Sequence, residues 1–505
     1  MQMPIPSRNL GRCFDANAAP DKIAIVELRD PANPRSITYR ELDEKCDAVA
    51  RGLLKRGYKR GDRIGILSLN RLEYLYAYFG TMRAGLVSVP ISFKLGADIV
   101  KHISDDAQLK AVFHDTDRIP VCPPGVTRIG YDDDGFDALL DPGPFDTVEP
   151  EPRELAMLLY TSGSTGMPKG VLLSHDSQHW SMETAAKLYG ERSHHRYIVG
   201  APMFHMNATI SVKGALASGA SIVFLPAFDA KIYARAIQDH RVTWLTSVPT
   251  MLALVAKEKE LLSTLDFSSV TNVTMGSAPL TQALIDKIQA LFPKALINNS
   301  YGTTEAGPAP FGIHPNGIPR PSLACGYPVP GSEAELREGP NADEGVLYMR
   351  SPMMMEGYNN LPEKTGAVLK DGWYRSGDIF RRDKDGFFYF VGRADDMFVV
   401  GGENVWPGEV ERLLERMPGV HQACVVPVPD DIKGAIPFAF VVPSPGASPT
   451  EAEIKQFALA NGPAYAHPRF VAFRNEIPLA ATNKPDRKKL IAEAEGLSKG
   501  KRPTL

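Results

Sequence analysis

Leu159-Tyr160-Thr161-Ser162-Gly163-Ser164-Thr165-Gly166-Met167-Pro168-Lys169-Gly170 stands between two apolar runs, AMLL at 156–159 and VLLS at 171–174. Apolar runs this short, bounded by turn residues, read as buried strands. Between them hydroxyl side chains and one lysine alternate with three glycines. Glycines let backbone N–H groups approach an anion, hydroxyls add donors, and the ammonium adds a compact positive charge. That is the chemistry of a loop that holds a polyphosphate. It differs from the mononucleotide P-loop, which requires GxxxxGK[ST], because Pro168 precedes Lys169 and Gly170 follows it.

Outward from this loop the chain alternates strands and helices. ITYREL opens a helix whose Leu42, Cys46, Val49, Leu53 and Leu54 fall on one face, with Gly57 and Gly61 beyond its end. Further strands are expected at ILSLN, VSVP, IVGAPMF, SIVFLP, VTWLTSVP and VTNVTMG. Such alternation predicts an α/β fold with layered, mostly parallel sheets. The Pro-, Gly- and Asp-rich stretch 118–153 is expected to run over the surface. A β-rich subdomain follows Pro330, and the pattern resets near Gly392. There a strand (MFVV), a Gly-Gly turn and a helix opened by Pro407 begin a small α+β domain, with Thr450 and Glu453 spaced as a capping box. Two domains are expected: residues 1–393, large, and residues 394–505, a small mobile lid.

Composition narrows the classes. A chain of 505 residues exceeds one ordinary core, and 44% apolar with 23% charged residues is globular. A formal charge of -3 argues against nucleic acid as a partner. No apolar run reaches the roughly 18 residues of a membrane span, and MQMPIPSRNL lacks the apolar stretch of a secretory signal. Five scattered cysteines, without CxxC spacing, fit neither a disulfide framework nor a zinc cluster and point to the cytoplasm. The ending RPTL carries no peroxisomal or anchoring signal.

Eight segments occur in one order: ITYREL, MRAGLVSVP, PMFH, GSAPL, NNSYGTTEAGP, YRSGDIF, GRADDMFVVGGENVWPGEVE and TNKPDRKKL. Together with the phosphate loop they resemble the adenylate-forming superfamily of acyl-CoA synthetases, luciferases and adenylation domains. The lid segment is similar to 4-chlorobenzoate:CoA ligases, and the loop and PMFH are similar to 4-coumarate:CoA ligases. The resemblance implies an ATP-dependent, AMP-forming ligase that makes an acyl-adenylate, releases pyrophosphate and passes the acyl group to coenzyme A. ATP, Mg²⁺ and CoA are the implied cofactors and co-substrates, and the chain would act as a monomer or homodimer.

The resemblance also distributes roles. Thr161, Ser162, Gly163, Ser164, Thr165 and Lys169 would cradle the phosphates. Tyr301 and Gly302 would line the adenine, with Asn299 on its amine and Gly276, Ser277 and Ala278 as the opposite wall. Thr304 would donate to the α-phosphate, and Glu305 would offer Mg²⁺ a hard oxygen ligand. Asp378, in an apparent turn, and Arg393 would take the ribose hydroxyls. Lys484 would bridge the attacking carboxylate and the phosphoryl oxygens, offsetting the repulsion of two anions. Asn483 stands where the family usually has glycine, while Arg487, Lys488 and Lys489 read as a solvated basic tail. Asp395 would be the hinge, and Gly401 and Gly402 would line a pantetheine tunnel, although a plain turn also accounts for Gly-Gly. His467 occupies the family's basic position before the last strand, which leaves the CoA nucleotide contacts unassigned.

His205, Met206, Val248, Gly276, Ala278, Ser300 and Gly302 would wall the acyl pocket. His205 stands as a gate rather than a general base, because a carboxylate nucleophile is already ionised at neutral pH. Small residues there suit a planar ring, so an aromatic acid of hydroxycinnamate or benzoate type is expected. Short- or medium-chain aliphatic acids, a free-standing enzyme that loads a carrier protein, and a degenerate regulatory nucleotide-binder are the alternatives. The last would be expected to have lost Glu305 or Lys484, and both are present.

Overall fold

The computed structural model describes residues 7–161, 167–430, 432–479 and 485–498. The chain divides into two compact units, Met1–Ala334 with Tyr348–Arg375, and Glu335–Leu347 with Ser376–Leu505.

The first unit holds two seven-stranded sheets. One runs in the order Leu296–Ser300, Asn272–Gly276, Trp244–Ser247, Arg196–Val199, Ser221–Phe224, Ile23–Glu27, Arg35–Thr38. Every neighbouring pair is parallel except the last. The other runs Gly357–Tyr358, Lys169–Ser174, Leu155–Thr161, Val87–Pro90, Arg63–Leu67, Ala111–His114, Thr127–Gly130. Its interior is parallel and apolar, as sheets covered on both faces are. The expected α/β architecture is therefore observed, and the strands flanking the phosphate loop form an antiparallel hairpin at one end of the second sheet.

Helix Tyr39–Lys55 starts at a capping box in which Thr38 and Glu41 satisfy each other's backbone N–H. Leu42, Cys46, Val49 and Leu53 are fully buried, but Leu54 is 37% exposed, because the buried stripe is narrower than the apolar count implied. The stretch 118–153 is not simply a surface run. Thr127–Gly130 adds an edge strand to the second sheet, and Ile129, Tyr131 and Phe136 pack inward. Arg83 is fully buried on helix Leu72–Arg83, where Asp43, Asp47 and the Gly11 carbonyl hold its guanidinium. All five cysteines are buried and unbridged.

In the second unit a sheet runs Glu403–Val405, Phe398–Val400, Gly434–Pro443, Val420–Asp430, with Phe470–Phe473 also paired to Gly434–Pro443. Alternate residues of its long strands face opposite ways. Ala439 and Val441 pack with Val410 and Leu414 of helix Pro407–Leu414, and Phe438 and Phe440 pack with Leu490 and Ala494 of helix Arg487–Ser498. The capping box expected at Thr450 and Glu453 is present at the start of helix Glu451–Asn461. Among the described residues no helix is long and apolar enough to cross a membrane.

Candidate active site

Parallel α/β sheets bind ligands beyond the carboxyl ends of their strands, where loops and helix N-termini converge. Four adjacent parallel strands of the first sheet end at Val199, Ser247, Gly276 and Ser300. His205, Val248, Ser277 and Tyr301 follow those ends, so residues scattered over a hundred positions of sequence emerge from one edge. The register pairs Gly276 directly with Ser300, and Met275 with Asn299.

The glycines here have packing reasons. A Cβ on Gly276 would stand 2.7 Å from the Ser300 carbonyl oxygen, and one on Gly302 would stand 2.4 Å from that of Pro308. Ser277 adopts φ 68°, a left-handed conformation that a non-glycine residue holds only under constraint, as happens at ligand-binding turns. Asn207 reaches it, its Nδ2 lying 3.5 Å from the Ser277 Oγ. His205 caps helix Met206–Ala217 through its backbone, stays exposed, and tilts its ring against Phe204 with centroids 4.4 Å apart. Phe204 in turn meets Phe93 edge to face at 5.5 Å. Asn299 is nearly buried, and its amide N–H groups reach the Leu323 carbonyl at 2.9 Å and the Cys325 sulfur at 3.7 Å.

Of the phosphate loop, Ser162, Gly163, Ser164 and Thr165 lie outside the described residues; Thr161 and Lys169 end the two hairpin strands and pair with each other. The Lys169 ammonium lies 4.1 Å from the Tyr358 ring centroid, a cation–π contact. The Tyr358 hydroxyl donates to Glu305 Oε1 at 3.0 Å, and the Met355 N–H donates to the Glu305 carbonyl at 2.8 Å. Tyr358 thus links the second sheet to the loop after the first sheet's last strand, holding a cation and a carboxylate beside the hairpin. Thr304 shares that turn, which is closed by the Ala306 N–H donating to the Thr303 hydroxyl at 2.9 Å. Sequence reading missed Tyr358. The short strand Gly357–Tyr358 joins the sheet through pairing with Val171 and Leu172, and no local pattern announces that distant partner.

In the second unit Asp378 is in a strand, Trp373–Arg382, not in a turn, and is 5% exposed. It pairs in register with Arg393, whose guanidinium donates to Asp378 Oδ1 at 2.7 Å and approaches Asp395 Oδ2 at 3.4 Å. Asp395 sits in the single turn Ala394–Asp396 that follows. Gly401 and Gly402 form a two-residue hairpin turn with φ 59° and 92°; two successive positive φ values are what such a turn demands. His467 is held as the neutral imidazole: burial lowers its pKa, its Nδ1 lies 2.6 Å from the Ala464 carbonyl, and Arg469 donates to Nε2 at 2.8 Å.

Lys484 lies outside the described residues. Arg487 is not part of a solvated tail. Its guanidinium makes contacts of 2.8 and 3.1 Å with the two oxygens of Glu411, donates to the Val425 carbonyl at 2.7 Å and approaches Asp396 at 3.4 Å. Burial opposes its charge, and Glu411, Cys424 and Asp396 together more than offset that, raising the pKa. Lys488 and Lys489 are exposed, as expected.

Comparison with known proteins gives the family. A family model described as AMP-binding enzyme matches residues 14–359, and one described as AMP-binding enzyme C-terminal domain matches residues 409–484. A feruloyl-CoA synthase of an Amycolatopsis species is 31% identical over 462 residues, covering 89% of this chain and 92% of that protein. The fatty acid–[acyl-carrier-protein] ligase ScoC of Streptomyces coeruleorubidus is 30% identical over 479 residues, covering 90% and 91%. The crystal structure of the anthranilate CoA ligase AuaEII in complex with anthranoyl-AMP superposes with a TM-score of 0.88 at 25% identity, covering 97% of this chain and 98% of that one.

Proposed function

The chain belongs to the AMP-binding enzyme family, and from that premise we propose that it joins an aromatic carboxylic acid to coenzyme A through an acyl-adenylate. It is an adenylate-forming acid:CoA ligase. A carboxylate oxygen attacks the α-phosphorus of ATP, the bond to the bridging oxygen breaks, and pyrophosphate leaves. The CoA sulfur, its proton given up to solvent, then attacks the acyl carbon and AMP leaves.

One observation carries the reading: Lys169 and Glu305 are held by one phenol beside the hairpin that bears the phosphate loop. A cation there offsets phosphate charge, and a single carboxylate is what a nucleotide-bound magnesium asks of a protein. When bound, the magnesium would draw charge from the departing pyrophosphate. Asn299, with its N–H donors turned to Leu323 and Cys325, would offer Oδ1 to the adenine amine. Tyr301 would cover the base, and Thr304 would donate to the α-phosphate. Asp378 and Arg393 would take the ribose hydroxyls, Asp395 would act as the hinge, and Lys484 would reach both reacting anions.

Support for an aromatic acid comes from Phe204 and His205 as tilted rings and from relatives named for feruloyl and anthranoyl groups. A carrier-loading enzyme for fatty acids is the second reading, favoured by the likeness to ScoC. Pyrophosphate release screened over hydroxycinnamates, benzoates and fatty acids, with CoA or with a carrier protein as acceptor, decides between them. Aromatic acids with CoA should turn over fastest; transfer to the carrier alone overturns the first reading.

A further inference from the structure

We propose that Asp106 is a positioning residue for the phosphate loop, acting through Tyr160 and Asn359; the inference rests on the nucleotide-binding role given to that loop. Asp106 stands in the last turn of helix Ala97–Ala107, which ends at Gln108 in the left-handed conformation. A carboxylate at a helix C-terminus is on the unfavourable side of the helix dipole, so this position needs another reason.

The reason is visible in what the carboxylate receives. The Tyr160 hydroxyl donates to Oδ2 at 2.6 Å, the Asn359 amide to the same oxygen at 3.0 Å, and the Asn360 amide to Oδ1 at 3.1 Å. The same two amides also donate to the Asp106 main-chain carbonyl, at 2.8 and 3.1 Å. Tyr160 belongs to the strand that enters the loop. Asn359 follows Tyr358, and its N–H donates to the Gly170 carbonyl at 2.7 Å on the strand that leaves the loop. One carboxylate therefore ties the loop's entry, its exit and the phenol that holds Lys169 and Glu305.

Gly170 completes the clamp. A Cβ there would meet the Tyr160 ring at 3.0 Å and the Asn359 Cβ at 3.2 Å, so a bare backbone is what lets both side chains close over the hairpin. One turn earlier on the same helix, His102 Nε2 lies 3.2 Å from the Pro168 carbonyl, a second hold on the exit. The helix thus holds both strands that flank the loop, Leu155–Thr161 through Tyr160 and Lys169–Ser174 through Asn359.

The test compares the two half-reactions in Asp106→Ala, Asp106→Asn and Tyr160→Phe. Losing a charge-assisted hydrogen bond that sets geometry should raise the KM for ATP in acid-dependent ATP–pyrophosphate exchange by about tenfold or more. Thioester formation from supplied acyl-adenylate should stay within about twofold of the parent. Asp106→Asn, which keeps one acceptor, should restore part of the loss, and Tyr160→Phe should add nothing on top of Asp106→Ala. An unchanged KM for ATP, or equal slowing of both half-reactions, overturns the proposal. If Asp106→Ala does not fold, the cycle of Asp106→Asn with Tyr160→Phe decides instead, fully additive effects overturning it. Lys169→Ala separates the underlying reading: if it leaves the KM for ATP unchanged, the loop assignment falls. If it raises that KM while the Asp106 variants do not, only the positioning role falls.

Discussion

Replacing Arg487 by methionine removes a guanidinium while filling much of its volume. Glu411 would keep the Val425 N–H on Oε1, at 2.8 Å, and the Cys424 thiol, and would lose both contacts to the cation in a site where its side chain is 16% exposed. Breaking a buried pair from one side costs about 3–5 kcal/mol, because the remaining charge stays desolvated. For a unit of this size that corresponds to a fall in Tm of roughly 10 °C or more. Hydrogen exchange read over Pro407–Leu414 and Arg487–Ser498, together with thermal unfolding at pH 7, measures this loss. The double variant Arg487→Met with Glu411→Leu should recover most of the loss. A single variant within about 1 kcal/mol of the parent at pH 7 would mean that Arg487 is the solvated residue its sequence neighbours suggest.

Lys484→Ala should nearly abolish acid-dependent ATP–pyrophosphate exchange while sparing thioester formation from supplied adenylate; equal loss in both steps would remove its assigned role. Gly402→Leu should slow thioester formation selectively if the hairpin lines the pantetheine path. It also places a branched side chain at φ 92°, costing about 1–2 kcal/mol, and a stability loss with unchanged CoA transfer would leave the glycines as turn formers only. Lys213 is fully buried with Gln178 Oε1 as its acceptor at 2.8 Å, and burial lowers its pKa to about 7. The unfolded chain holds that proton up to its ordinary pKa of 10.5, so the penalty is complete below about pH 7 and fades as pH rises. Lys213→Met should therefore stabilise by about 2 kcal/mol at pH 6 and by almost nothing at pH 10, read by urea unfolding.

Much of the fold was legible because local signals agreed with it. The two apolar runs flanking the glycine-rich loop became paired strands, Pro407 opened its helix, and Thr450 with Glu453 closed a capping box. What escaped depended on partners far away in sequence. Asp378 looks like a turn former within Ser-Gly-Asp, yet pairing with Arg393 makes it part of a strand. Arg487 looks like one of three tail cations until Glu411 and Val425 surround it. Tyr358 and Asp106 carry no motif, and their weight comes from strand pairing and helix packing that bring them to the loop. Gly276 and Gly302 read as small pocket walls, whereas neighbouring carbonyl oxygens leave no space for a Cβ at either one.

The burial of every thiol has a practical consequence. Cys13 and Cys46 are pushed up to about 12 by desolvation, so neither supplies thiolate at neutral pH; burial also raises the pKa of Cys122 and Cys424, and Cys325 is 2% exposed. The native enzyme should be silent to maleimides without any cysteine being removed. Leu296, 63% exposed on the first unit, and Ile432, 82% exposed on the second, can then each be changed to cysteine as the sole reactive handles. A dye pair attached there would report whether the distance between the two labelled positions changes during turnover.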